Sequence, residues 1–141
     1  MSDPGNDGQH EAQDLGATQL GRVSVEREEA ILAALGDPSC RAILTLLNDR
    51  PRTVQDLLRE LSVPQSSVYR KLGELQGAGL VGVQRSVLST EGRRTDLFRS
   101  LLAEGTVHFG GGGVQVLAKF RVLASERMAD LWEELRKGGE R

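Results

Sequence analysis

Placed at about 100° per residue, Ser66, Arg70 and Gly73 fall on one side of a segment whose apolar members, Val68, Leu72 and Leu75, fall within about 60° of one another on the other side. Gln65, Ser67, Tyr69 and Lys71 flank that polar side. A guanidinium at Arg70 can give paired hydrogen bonds to N7 and O6 of a guanine, and the serine hydroxyls can serve base edges or phosphates. Gly73 is unfavourable in a helix, so it marks either a close approach to another backbone or a tolerated surface position. A second basic group, Arg93-Arg94, sits in the polar run Ser89–Arg94, with Arg85 and Arg99 on either side of it. Neighbouring guanidiniums on a loop tip suit phosphate contacts or a narrow minor groove.

Other reactive types do not assemble. Cys40, His10 and His108 are the only cysteine and histidines, far apart and without zinc spacing, so neither an internal disulfide nor a metal site is expected. Cys40 lies among apolar residues at helical spacing and reads as a small buried hydrophobe. Gly110–Gly113 lacks the Lys-Ser/Thr and the helix start of a phosphate loop, and reads as a turn. No nucleophile, base or paired-carboxylate arrangement stands out, so the expectation is a protein that is not an enzyme and needs no cofactor.

The elements that must position the two basic groups follow from caps and periodicity. Ser24 caps a first helix carrying Ile31, Leu32 and Leu35 and closed by Gly36; Asp37-Pro38 opens a second with Cys40, Ile43, Leu44 and Leu47. Thr53 and Asp56 form a capping box for a third helix with Val54, Leu57, Leu58 and Leu61. Pro64 opens a fourth, over about 64–77, ended by Gly77 and Gly79. Alternating Val81, Val83 and Val87, the basic tip, and Thr95–Leu101 then predict a β-hairpin. A second hairpin is expected from Thr106–Phe109 and Val114–Leu117, and a final helix from about Phe120 to Lys137.

The resulting fold class is mainly α with a small β wing (α+β): a winged helix-turn-helix with an extra C-terminal β-hairpin and a long C-terminal helix. Its divisions are a disordered, Gly- and Asp-rich tail over 1–22, a winged domain over 23–101, an accessory hairpin over 102–118 and a helix over 119–141. The chain has 141 residues, 38% of them hydrophobic but only 4% aromatic, so Leu and Val must build the core. Net charge is −2, but Pro38–Leu101 holds ten basic residues against six acidic ones, whereas Met1–Asp37 holds two against eight. The basic excess thus coincides with the segment carrying Arg70 and Arg93-Arg94. No apolar stretch is long enough to span a membrane, and the N-terminus lacks a secretory pattern, which points to the cytoplasm.

The run Leu35-Gly36-Asp37-Pro38-Ser39-Cys40-Arg41-Ala42-Ile43-Leu44 resembles the opening of ArsR-type regulators. Val63–Leu72, continuing to Ala78-Gly79-Leu80-Val81, is similar to their recognition helix and its exit into the wing, and Val68–Leu72 is also similar to archaeal TrmB-like regulators. The resemblance covers roughly Glu29–Leu101. It implies a dimeric regulator that binds double-stranded DNA, with Gln65, Ser66, Ser67, Tyr69 and Arg70 facing the groove. The metal ligands of the metal-sensing members have no counterpart here. The expected DNA contacts, taken together, are Gln65, Ser66, Ser67, Tyr69, Arg70, Lys71, Arg85, Arg93 and Arg94.

The last segment carries a stripe of Phe120, Ala124, Met128, Leu131, Trp132 and Leu135, longer than one small winged domain can cover. Pairing with a second copy is expected, which would set two recognition helices about one DNA turn apart. The second hairpin holds a ligand, extends that interface, or only links to the last helix. The competing reading is a winged-helix module of the transcription machinery that contacts proteins without reading bases. The polar side of the fourth helix argues for DNA, because an interaction helix usually exposes Leu, Met or Phe.

Overall fold

A computed structural model describes residues 14–17, 19–123 and 134–136. The helices are α1 (Val25–Leu35), α2 (Pro38–Asp49), α3 (Val54–Glu60) and α4 (Gln65–Gly77). The strands are β1 (Asp14–Ala17), β2 (Gly21–Arg22), β3 (Val81–Leu88), β4 (Arg94–Ser100), β5 (Leu102–Gly110) and β6 (Gly113–Leu123).

Local chemistry sets the helix starts. Ser24 Oγ accepts from Arg27 N, and Asp37 Oδ1 accepts from Ser39 N at 2.8 Å with Pro38 in the first turn. Thr53 and Asp56 form the reciprocal capping box, each side chain bonding the other's backbone N–H. Gly36 and Asp37 then turn the chain so that α1 and α2 meet at 102°. Among the described residues no single helix is long and apolar enough to cross a membrane.

Ile31, Ile43, Leu47, Leu57, Val68 and Leu80 are wholly buried at the centre of one aliphatic core. β3 and β4 pair antiparallel from Val81↔Ser100 to Leu88↔Arg94, with an irregularity between Val83 and Arg85. Phe98 anchors the base of this hairpin in the core, and its backbone exchanges hydrogen bonds of 3.0 and 2.8 Å with Arg52. This is the winged helix-turn-helix arrangement: a four-residue turn, Leu61–Pro64, separates α3 from α4, and the hairpin follows α4.

The remaining strands form a four-stranded sheet centred on β6. β5 runs along one edge of β6, while β2 (Gly21↔Ala118) and β1 (Ala17↔Arg121) pair with the other. Val116 and Ala118 turn into the core, and Phe120 packs against it beneath the Arg27 guanidinium, whose centre lies 4.2 Å from the ring centroid.

Three expectations change. The tail expected over 1–22 contains β1 and β2, because β6 offers these short polar segments a partner that no local signal announces. The second hairpin runs to Leu123 instead of ending near 118, with Val116, Ala118 and Phe120 packed on the core. Phe120 is therefore a strand residue packed on its own subunit, which removes it from the expected helical stripe. Ala124, Met128, Leu131 and Trp132 lie outside the described residues. Leu135 sits in a short helical stretch, Glu134–Arg136, and is exposed.

Candidate nucleic-acid interface

α4 buries Val68, Leu72 and Leu75 and turns Gln65, Ser66, Tyr69, Arg70 and Gly73 to solvent, with Ser67 half-buried at the margin. The polar side is open at every step, and a Cβ placed on Gly73 would meet nothing within 4 Å. Space beside the helix axis is therefore available for a backbone or base edge. Arg70 reaches Glu74 one turn on, at 3.6 Å, with both side chains more than half exposed. Such a pair is weakly held and leaves the guanidinium able to exchange partners.

Lys71 does not join that side. Its ammonium bonds Asp37 Oδ2, and only 18% of the side chain is exposed, because its position on α4 points it at the N-terminus of α2. Asp37 accordingly holds two jobs: one oxygen caps α2 and the other seats α4. The hydrogen bond from Lys71 holds the Asp37 carboxyl below the usual carboxylate range, and the same bond raises the Lys71 ammonium. In this structure Lys71 thus helps to seat α4 against the start of α2.

The wing tip is built to present arginines. Ser89 N donates to Arg93 O at 2.7 Å, and Ser89 Oγ accepts from the N–H groups of Glu91 and Arg93. Gly92, at φ 83°, supplies the left-handed residue that returns the chain. Arg93 and Arg94 are exposed at this closed turn. Register divides the expected wing residues, because alternate side chains on a strand point to opposite faces. Arg94 shares a face with Asp96, Phe98 and Ser100, the side towards the helices, whereas Arg85, opposite Leu97, lies on the other face.

Arg99, expected along the wing, is 2% exposed and belongs to the interior. Arg52, which the sequence reading did not single out, is 5% exposed and ties three elements together. It bridges β4 through its backbone, donates Nη1 to Leu46 O, and pairs with Glu60 at 3.1 Å and Asp49 at 3.4 Å. It fixes the wing's base relative to α2 and α3. The only sequence signal for it was its place directly before the Thr53 cap, between two helices. An open cleft lies between α3 and the wing tip, with Gln55, Asp56 and Arg59 on one wall and Glu91, Arg93 and Arg94 on the other.

The segment from the end of α1 through Gln84 of β3 matches, over residues 35–84, the family described as a helix-turn-helix domain. Two solved structures are similar to the chain. The ArsR-like transcriptional regulator from Rhodococcus sp. RHA1 is 28% identical over 53% of this chain, with a TM-score of 0.42. The ArsR family transcriptional regulator RHA00566 is 19% identical over 81% of this chain and 93% of that protein, with a TM-score of 0.37. The chain spans 63% of the length of the first of these. No curated protein matches it. Of the two helices flanking the turn, α4 is the one that turns Gln65, Ser66, Tyr69 and Arg70 to solvent.

Proposed function

We propose that the protein is a transcription regulator that binds double-stranded DNA sequence-specifically, with α4 in the major groove and the wing on the backbone or in the adjoining minor groove. One observation carries this reading: α4 hides all its large aliphatic side chains while showing Gln65, Ser66, Tyr69 and Arg70. That is the composition of a surface that hydrogen-bonds base edges, and it stands beside a turn tipped with two exposed arginines. Gln65, Ser66 and Ser67, in the first turn of α4, serve base edges or phosphates, Tyr69 makes flanking contacts, and Arg70 reads a guanine. The wing's Arg93 and Arg94 hold phosphates, and Arg85 serves as an outlying contact. Two copies on a two-fold site would place two such helices one DNA turn apart.

The test is selection of a preferred duplex from a random library, followed by titration of the parent and of Arg70→Ala. The parent should enrich a two-fold motif, and Arg70→Ala should lose preference at one position of each half-site. Absence of any enriched motif, with binding to all duplexes alike, would refute base reading.

A further inference from the structure

We propose that β5 is a self-pairing edge: two copies of the chain join their β5 strands antiparallel about a two-fold axis at Thr106, making one continuous eight-stranded sheet. This names a seat for the second copy in the two-copy reading above, and it does not depend on which DNA sequence is bound.

β5 pairs with β6 on one side only. Its other edge meets α2 at its start, where Asn48 Nδ2 donates to Ala103 O, and among the described residues no strand pairs with that edge. All six residues from Glu104 to Phe109 are exposed. β5 carries no proline and no lysine, the usual devices by which an edge strand repels a partner, and no irregularity beyond Ala103 at its start. Its outward residues include Val107, 45% exposed, and Phe109, 79% exposed.

The hairpin turn settles which backbone groups are available. Gly110 pairs with Gly113 around the two-residue turn Gly111-Gly112, so this closing pair exchanges its hydrogen bonds, and alternation makes His108 and Thr106 the next residues bonded to β6. The N–H and C=O groups of Gly105, Val107 and Phe109 therefore point out of the sheet, free to bond another strand.

The side chains select a register. Centring β5 on its own copy at Thr106 gives the longest overlap of the two strands. It sets Glu104 opposite the partner's His108, Val107 opposite the partner's Gly105, and Phe109 opposite the partner's Ala103. Acid meets imidazole and each large side chain meets a small one, twice over by symmetry. Thr106 faces the partner's Thr106 across the axis, in a pair not hydrogen-bonded through the backbone. Shifting the centre to Val107 or His108 removes the Glu104–His108 pairing and shortens the overlap.

Full-length protein without DNA provides the test, by light scattering and by oxidative cross-linking. Residues facing one another in a non-hydrogen-bonded pair lie about 4.5 Å apart, within reach of a disulfide. Thr106→Cys should therefore convert to a linked dimer, while His108→Cys, which faces Glu104 and not itself, should not. Val107→Lys, at an exposed position, should give a monomer whose circular dichroism matches the parent and whose cooperative thermal midpoint does not vary with protein concentration. A parent that is already monomeric, a Val107→Lys variant that stays dimeric, or equal cross-linking at both positions would each overturn the β5 seam. Motif selection on duplex DNA is a separate measurement, so the seam and base reading can fail independently.

Discussion

The two hairpins use strands of similar length and end on different chemistry. β3–β4 closes on Ser89, whose hydroxyl holds the turn, and presents two arginines; its base is fastened by Phe98 and by the Arg52 bridge. β5–β6 closes on four glycines and presents Val107, Phe109 and Val114, all exposed. A rigid, charged tip suits a partner that is itself charged and whose position must be fixed. An apolar edge with unspent amides suits another strand. One domain thus carries two outward-facing devices, and the difference between them lies in what each has left unsatisfied.

The comparison breaks most directly at the two phenylalanines. Phe98→Ala should cost about 3–5 kcal/mol of unfolding free energy, because the ring fills the core at the wing's base. Phe109→Ala should change stability by no more than about 0.5 kcal/mol, since the ring is in water in the single subunit. Denaturant titration of the two variants in dilute solution decides it, and equal losses would show that Phe109 is covered within its own subunit.

On duplex DNA, Arg70→Ala should weaken binding to the selected site by about 1–3 kcal/mol while leaving random-sequence binding nearly unchanged. Replacing Arg93 and Arg94 with Ala should weaken both kinds of binding and make the salt slope shallower by roughly one unit per lost contact. Arg85→Ala should alter the slope less, given its place on the far face of the wing. A larger change from Arg85 than from Arg94 would reverse the face assigned to the duplex.

The seating of α4 has a pH signature. Asp37 is held below its ordinary value by Lys71, so its contribution to stability is complete above roughly pH 4 and is lost as pH falls through the depressed folded value. Lys71 is raised, so its contribution is complete below its ordinary value and is lost as pH rises through the raised one. Lys71→Met should flatten both limbs of the stability profile without the salt-slope change expected of a phosphate contact. The smallest expected effect is at Glu74: Glu74→Gln releases Arg70 and removes a repelling charge, and should tighten binding to any duplex by under about 1 kcal/mol.

The helical half was readable because its signals are local. Ser24, Asp37 and Thr53 cap where their side chains can reach the next turn, and Val68, Leu72 and Leu75 sit at helical spacing. What escaped was decided by partners distant in sequence. Arg52 and Arg99 have the same composition as surface arginines, and only packing sends them inside. Phe120 begins a stripe that continues at helical spacing, but it also continues the two-residue period of Val116 and Ala118, and pairing with β5 and β2 settled the competition for the strand. The Lys71–Asp37 pairing was not legible because the two residues lie 34 positions apart.

β6 also fixes when the molecule can be finished. Gly21 meets Ala118 and Ala17 meets Arg121, so the first strands of the chain wait for the last one before they have a partner. Emerging from a ribosome N-terminus first, α1 to α4 and the wing can gather around their shared core while β6 is still being made. These long-separation pairings place the closing step late and make it the slow one. Until it closes, the β6 edge opposite β5 is open. In that interval a second nascent chain can compete with the chain's own N-terminus for the same strand, so neighbouring synthesis favours exchanged strands between copies.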